Sequence, residues 1–223
     1  MKKADGSHSD NKKDGQEKAR QLSPAEQRRQ RAFDALSETM AEHGYRRVDL
    51  TISIAKANVF AVILLIPLMI AGIGLFLLKN KQFGGRMTPG GPILFAVALI
   101  VLVVVHELIH GLSWAVFAEH HWKDIEFGFI KQNLTPYCTC SVPLSKGEYI
   151  FGAMMPLVVL GILPMIAGIL TGSFPVLFIG IIMADAAAGD IMIVREILRY
   201  RSRAASIVYI DHPTQAGGVI FEK

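Results

Sequence analysis

The sequence predicts an all-α integral membrane protein with about four transmembrane helices, a short cytoplasmic β-hairpin, and cytoplasmic N- and C-terminal segments. Hydrophobic residues make up 52% of the 223 residues. The charged residues lie mostly at the two ends and in one central stretch. A helix needs about 20 predominantly apolar residues to cross the hydrocarbon core. Four blocks have this length and composition, and they form a predicted membrane domain over 57–194, with spans at 57–78, 92–118, 149–171 and 174–194.

The segment before the first span divides into two parts. Residues 1–22 contain hardly an apolar side chain, so they cannot offset the entropy lost on ordering and are predicted to form a flexible polar tail. Ser23 as N-cap and Glu26 three residues later predict the start of a helix, and Gly44 predicts its end. The segment 23–56 is thus interpreted as a cytoplasmic helix with a lead-in to the first span. This helix could lie on the membrane surface, pack on the domain, or be solvated.

The distribution of lysine and arginine predicts the orientation, because cytoplasmic flanks carry the excess. Twelve of the 23 basic residues precede the first span and five lie in the tail 195–223. We therefore expect a multi-pass protein of the cell membrane with both termini cytoplasmic. Four spans then place the loop 119–148 on the cytoplasmic side as well. Because the positive charge is concentrated in the tails, we expect contact with the lipid bilayer and not with nucleic acid.

The second span contains the pattern HELIH, whose ionisable residues are His106, Glu107 and His110. Only fourteen residues, from Pro92 to Val105, precede it in that span. That is too short to cross the bilayer, so the helix must continue through the pattern. Four residues of helix are about one turn, which places both imidazoles on one face.

These residues are typical of a zinc site. In His-Glu-x-x-His both histidines bind Zn²⁺ and the glutamate acts as general base, which predicts His106 and His110 as metal ligands and Glu107 as the catalytic residue. An ionisable side chain in mid-membrane costs about 2.5–3.5 kcal/mol, so such groups need a functional reason. The alternatives are an ion-coupled transporter that uses the same groups and a catalytically silent membrane scaffold.

A catalytic zinc site normally takes a third protein ligand. The fourth span carries Asp185 and Asp190 among small and apolar residues. Counted from the outer ends of the two spans, the depth of Asp190 agrees with that of the histidines, and Asp185 lies about 7.5 Å shallower. Asp190 is the predicted third ligand. Asp185 stays open as the alternative, or as a residue that supports the site.

The chain resembles two families at these and other stretches. HELIH in a membrane helix, followed by an aspartate on a later one, is similar to the site-2 protease family of intramembrane zinc metalloproteases. More closely, 44–223 resembles a family of bacterial membrane proteins described as putative zincin peptidases, through GYRRVDLTIS, HELIHG, PYCTCSVPLSKGEYI, AGDI and DHPTQAGG. Both resemblances imply two histidine ligands, Glu107 as base and Asp190 as third ligand. Site-2 proteases typically have aspartate followed by glycine, whereas here Gly189 precedes Asp190.

The loop 119–148 shows two strand-like segments, 124–130 and 137–142, which predict a hairpin. Such a hairpin could present an edge to an extended substrate, or simply cap the helices. Cys138 and Cys140 are separated by one residue without a second pair, so buried thiols are a better interpretation than a metal site.

Two more features concern structure. Pro156 and Pro164 in the third span, with several glycines, predict a kinked and closely packed helix. Residues 206–210 predict a short strand, and Asp211 and His212 after it are interpreted as a structural turn packed on the hairpin, with a catalytic role as the alternative.

Together these observations predict a zinc-dependent membrane-embedded endopeptidase. It would cut a membrane or juxtamembrane protein or peptide, with Zn²⁺ as cofactor. The residues that bind the substrate are not identifiable from the sequence.

Overall fold

The structure is a computed structural model that describes residues 22–81, 89–130 and 135–223. The predicted flexible tail lies outside these residues, apart from Leu22. The helices are α1 (Pro24–Glu42), α2 (Ile54–Asn80), α3 (Gly91–Ala115), α4 (Lys146–Pro156), α5 (Leu163–Thr171), α6 (Phe174–Ala186) and α7 (Ala188–Arg199). The strands are β1 (Arg46–Thr51), β2 (Ile125–Ile130), β3 (Thr135–Cys140), β4 (Ile207–Asp211) and β5 (Gly217–Glu222).

Helix α1 begins where the sequence predicts. The Ser23 hydroxyl accepts a hydrogen bond from the backbone N–H of Glu26, and the Glu26 carboxylate accepts one from the N–H of Ser23. This reciprocal cap satisfies two backbone donors that a helix start leaves unpaired. Phe33 of α1 is buried in a cluster with Val219 and Phe221 of β5. Of the three placements considered for this helix, packing on the rest of the protein is therefore the one observed.

Three helical segments are long and apolar enough to cross a membrane, or four if a bent pair counts as one span. They are α2, α3, the continuous α4-to-α5 segment Lys146–Thr171, and α6 with α7. The second segment ends at Ala115, three residues before the predicted boundary at 118. The fourth, predicted at 174–194, extends to Arg199 and bends by 45° at Ala187.

The third segment is irregular in its middle. A π-helical stretch, Leu157–Ile162, separates α4 from α5 and follows Pro156 directly. Proline cannot donate the usual helix hydrogen bond, and π-bulges are a known cause of kinks. The same region packs closely on α6, since a Cβ on Gly161 would lie 2.9 Å from Ala184 Cα. The predicted close packing is present, and the π-helical stretch lies where the kink is predicted, which itself stays a prediction.

The strands form two small antiparallel sheets. The predicted hairpin is observed, with β2 paired to β3. The second sheet has the order β1-β5-β4 and joins the chain before α2 to the chain after α7, with Arg46 opposite Glu222. One strand is predicted there from the sequence, at 206–210, whereas β1 and β5 are not predicted. The all-α prediction with only a hairpin is therefore wrong in this part, because the strands that pair lie some 170 residues apart and the sequence does not show which distant segments meet.

This sheet, β4 and β5 especially, packs against one end of the helices. A buried cluster joins Trp114 of α3 and Tyr149 of α4 to Tyr209 and Ile220 of the sheet. The hairpin lies against the same end of α3. The HELIH residues are thus next to the two sheets.

Candidate metal centre

Two helices bring three ionisable side chains together. His106 and His110 lie one turn apart on α3 and are 7% and 4% exposed. Asp190 lies in the first turn of α7, just after the bend at Ala187. His106 Nε2 is 3.2 Å from His110 Nε2 and 3.2 Å from Asp190 Oδ2. His110 Nε2 is 3.5 Å from Asp190 Oδ1. The carboxylate that reaches the histidines thus lies on the first turn after the bend.

The spacing of these three donors suits one metal ion. Tetrahedral zinc has Zn–N bonds of 2.0–2.1 Å, so two of its ligand atoms lie about 3.3 Å apart. The three observed distances of 3.2 to 3.5 Å lie close to that value. Two neutral imidazoles and one carboxylate are also the donor types that zinc prefers. No other group of three His, Cys, Asp or Glu side chains among the described residues meets this spacing.

The orientation of His110 is set by the backbone of α4. Its Nδ1–H donates a hydrogen bond of 2.9 Å to the carbonyl oxygen of Gly152. Because a carbonyl can only accept, the proton of the neutral ring lies on Nδ1 and the Nε2 lone pair faces His106 and Asp190. A hydrogen bond at the other nitrogen commonly fixes metal-binding histidines in this way. The His106 Nδ1 is buried and has no hydrogen-bond partner within the described part of the chain.

Glu107 lies next to the hairpin. Its carboxylate is within hydrogen-bonding reach of the backbone N–H of Cys138 in β3. The hairpin approaches α3 closely at Gly111, where a Cβ would lie 2.6 Å from Phe127 Cζ and 3.1 Å from Cys138 Sγ. Only a residue without a side chain allows this contact. The hairpin thus contributes directly to the environment of the predicted general base.

Further contacts, which the sequence does not predict, support His110 through Trp114, Tyr149 and Asp211. The ring of Trp114 stacks on His110, with centroids 5.2 Å apart and planes 15° apart. Trp114 Nε1–H donates to the carbonyl oxygen of Tyr149 at 3.2 Å, and the Tyr149 hydroxyl donates to Asp211 Oδ1 at 2.5 Å. The helical spacing of Trp114, four residues after His110, was the only signal for these contacts in the sequence.

Asp211 connects these contacts to the hairpin. Its Oδ2 accepts a hydrogen bond from the backbone N–H of Cys140 at 3.1 Å. Burial raises the pKa of Asp211 above its ordinary value, against the effect of the hydrogen bonds from Tyr149 and Cys140. Asp211 is therefore packed on the hairpin, in keeping with the structural role predicted for it. His212 caps the following turn by accepting from the N–H groups of Thr214 and Gln215.

The two thiols are free, and neither belongs to the metal-sized group. Cys140 is 2% exposed and Cys138 is half-buried. Burial raises the pKa of Cys140 to about 12 and that of Cys138 in the same direction. The interpretation of buried thiols fits this environment better than that of a metal site.

Of the two candidate aspartates, the structure brings only Asp190 to the histidines. Asp185 lies on α6, before the bend, and is absent from the group of three. Its Oδ1 is buried and lacks a hydrogen-bond partner within the described residues. The choice of Asp190 by depth along the helix agrees with this placement.

A comparison with known protein families finds a match for part of the chain. A model of the family described as "Putative zincin peptidase" matches residues 99–205. This segment is therefore similar to that family. It contains the histidines, Glu107, the hairpin and Asp190, whereas α1, α2 and most of the three-stranded sheet lie outside it. No curated protein and no solved structure matches the chain. The resemblance to the zincin-peptidase family, predicted for 44–223, is confirmed for residues 99–205, and the resemblance to site-2 proteases stays a prediction.

Proposed function

We propose that the protein is a zinc-dependent endopeptidase of the cell membrane that cuts a membrane or juxtamembrane protein. The observation that carries the proposal is the triangle of His106, His110 and Asp190 donor atoms, which has the size of a zinc coordination shell. The residue after the first histidine, Glu107, is the base that this chemistry needs. The description of the family as zincin peptidases supports zinc as the ion.

The two histidines and Asp190 would hold the ion, each through one donor atom. Zinc supplies Lewis-acid activation of water and of the scissile carbonyl when it is bound. Glu107 takes the proton from the attacking water and passes it to the leaving amine. The backbone N–H of Cys138, within hydrogen-bonding reach of the Glu107 carboxylate, would help to hold that carboxylate in place for both transfers.

The length and composition of the apolar helices support the placement in a membrane. The excess of lysine and arginine in the terminal segments supports cytoplasmic termini. Because the sheets pack at the HELIH end of α3, the site would lie in the cytoplasmic half of the bilayer. A peptide bond near that surface is the expected target.

One observation favours the alternative of an ion-coupled transporter. The distances among the three side chains are also normal hydrogen-bond lengths, so the group could hold and release protons without a metal. A metal-free carrier of this kind would depend on the same histidines and aspartate. The two functions differ in what Glu107 does.

The test compares Glu107→Gln with wild type and with Glu119→Gln in cells that lack other copies of the gene. Glu119 is exposed and follows α3, so it is a matched control for the loss of a carboxylate. We expect equal zinc content in all three proteins. New protein termini from membrane substrates should appear with wild type and Glu119→Gln, and not with Glu107→Gln. Cleavage by Glu107→Gln at the wild-type rate would contradict the proposal, and loss of ion flux without any cleavage would support transport.

A further inference from the structure

A cavity of about 390 Å³ lies outside the metal centre, where α4 begins and α7 ends. Lys146, the first residue of α4, and Arg201, two residues after α7, both line it. Its other walls include Leu198 of α7 and Ile207 of β4. The cavity is within the range of about 300–1,000 Å³ that is usual for small-molecule sites.

The cavity carries an uncompensated positive charge. Neither Lys146 nor Arg201 forms an ion pair with any residue that the structure describes. No Asp or Glu is among the described residues that line the cavity. The carboxylate of Glu222, which contacts the lining residues Tyr200 and Ser202, is paired with Arg46. Two cations without a partner therefore face a common space, which favours an anion there.

The neutral walls indicate what kind of anion fits. The hydroxyl groups of Tyr200 and Ser202 also line the cavity, and both are hydrogen-bonded to the Glu222 carboxylate. Leu198 is 58% exposed and gives the cavity an apolar side. A free inorganic anion would leave most of this volume and the apolar wall unused. A phosphate attached to an organic body uses both the charges and the apolar wall.

The position of the cavity along the helices also favours a phosphate group. Lys146 and Arg201 lie at corresponding ends of two apolar segments, Lys146–Thr171 and the α6–α7 pair. If these segments cross a membrane, as proposed above, the cavity lies at the level of the lipid phosphates, where lysine and arginine are attracted to anionic headgroups.

We propose that this cavity binds a phosphate ester, through Lys146 and Arg201. The ester is either the headgroup of an anionic lipid or a soluble phosphate compound of similar size. The inference shares only the membrane placement with the proposed function, and it involves neither the metal nor Glu107.

The test uses the full chain purified in neutral detergent, with dioleoyl phosphatidylglycerol, dioleoyl phosphatidylcholine and glycerol 3-phosphate as probes. The cavity variant is Lys146→Gln/Arg201→Gln. The control is Arg199→Gln/Arg203→Gln, which removes the same charge from flanking residues that do not line the cavity. Binding is measured by native mass spectrometry and by thermal stabilisation. Zinc content is measured in each sample, so that a damaged fold or metal centre is recognised separately.

We expect the cavity variant to bind the phosphate probe about tenfold to thirtyfold more weakly than wild type, from two lost cation contacts. The control should stay close to wild type, and the charge-preserving Lys146→Arg/Arg201→Lys should retain binding. Phosphatidylglycerol binding that glycerol 3-phosphate does not displace identifies a lipid. Stabilisation by glycerol 3-phosphate alone identifies a soluble ester.

Two results would overturn the inference. One is equal weakening of phosphatidylglycerol in the cavity variant and the control, which would indicate diffuse attraction to the basic end of the protein. The other is wild type that binds neither phosphate probe better than phosphatidylcholine. Either result, with zinc and cleavage intact, would leave the proposed peptidase function unaffected.

Discussion

Replacing Gly152 by alanine should damage the support of His110. A Cβ at this position would meet Trp114 Cδ1 and Nε1 and would lie 2.7 Å from Trp114 Cγ. Carbon atoms in contact are normally about 3.5–4.0 Å apart, and Cδ1 and Nε1 lie closer to the Cβ than Cγ does, so the ring would have to move by about 1.5 Å. The ring is fixed on one side by the His110 stack and on the other by its hydrogen bond to Tyr149.

Three effects determine how much Gly152→Ala changes the free energy of unfolding. Overpacking of a buried site costs about 1–3 kcal/mol. Loss of the Trp114 hydrogen bond adds about 0.5–1.5 kcal/mol. Alanine in place of glycine in a helix returns about 1 kcal/mol. We therefore expect a net loss of about 1–3 kcal/mol in the free energy of unfolding. Displacement of a group that orients a ligand typically weakens metal binding by about 10–100-fold.

The assay is thermal unfolding in detergent together with zinc affinity from competition with a chelator. Gly147→Ala is the matched control, because Gly147 is in the same helix and a Cβ there meets nothing within 4 Å. It should leave zinc affinity unchanged and unfold no earlier than wild type. Gly152→Ala with the melting temperature and zinc affinity of that control would refute the reasoning.

Three further predictions concern Cys140, Glu222 and Gly161. Because burial raises the pKa of Cys140 to about 12, iodoacetamide at pH 8 should label it slowly in the native protein and quickly after unfolding; fast native labelling would contradict its burial. Hydrogen bonds from Ser202 and from Arg46 lower the pKa of Glu222 from 4.5 to about 2. The stability that the ionised Glu222 gives is present above pH 4.5 and is lost as the pH falls towards 2. Glu222→Gln should therefore have a lower melting temperature than wild type at pH 7. Its melting temperature should fall less than that of wild type between pH 7 and pH 3. Gly161→Val should destabilise the packing of the third apolar segment on α6, by about 1–3 kcal/mol, seen as a lower melting temperature.

The features that the sequence predicts well have strong local patterns. The start of α1 depends on a cap whose two residues are three positions apart. The apolar segments are recognisable by length alone. The two histidines share a face because four residues of helix make one turn, and Asp190 was found by counting depth along a neighbouring helix. In each case the feature is determined by residues of one helix or by the number of residues along a helix.

The remaining features depend on contacts between distant parts of the chain. Strand β1 alternates between apolar and polar residues only over 48–51, and β5 begins with Gly217 and Gly218, so both local signals are short or weak. The bend at Ala187 has no proline to predict it. The contacts from Trp114 to Asp211 join three elements that only the fold brings together. Such pairings are set by packing and not by local propensity.

The most direct test of the account is the metal content of purified wild type, Asp190→Asn and Asp185→Asn, with affinities measured by chelator competition. The account predicts one zinc per chain in wild type and in Asp185→Asn. It predicts that Asp190→Asn weakens zinc binding by about a hundredfold or more, beyond the effect of an outer contact. A wild-type protein that takes up no divalent metal, or an Asp190→Asn protein that binds zinc as tightly as wild type, would contradict the assignment of His106, His110 and Asp190 as the metal ligands.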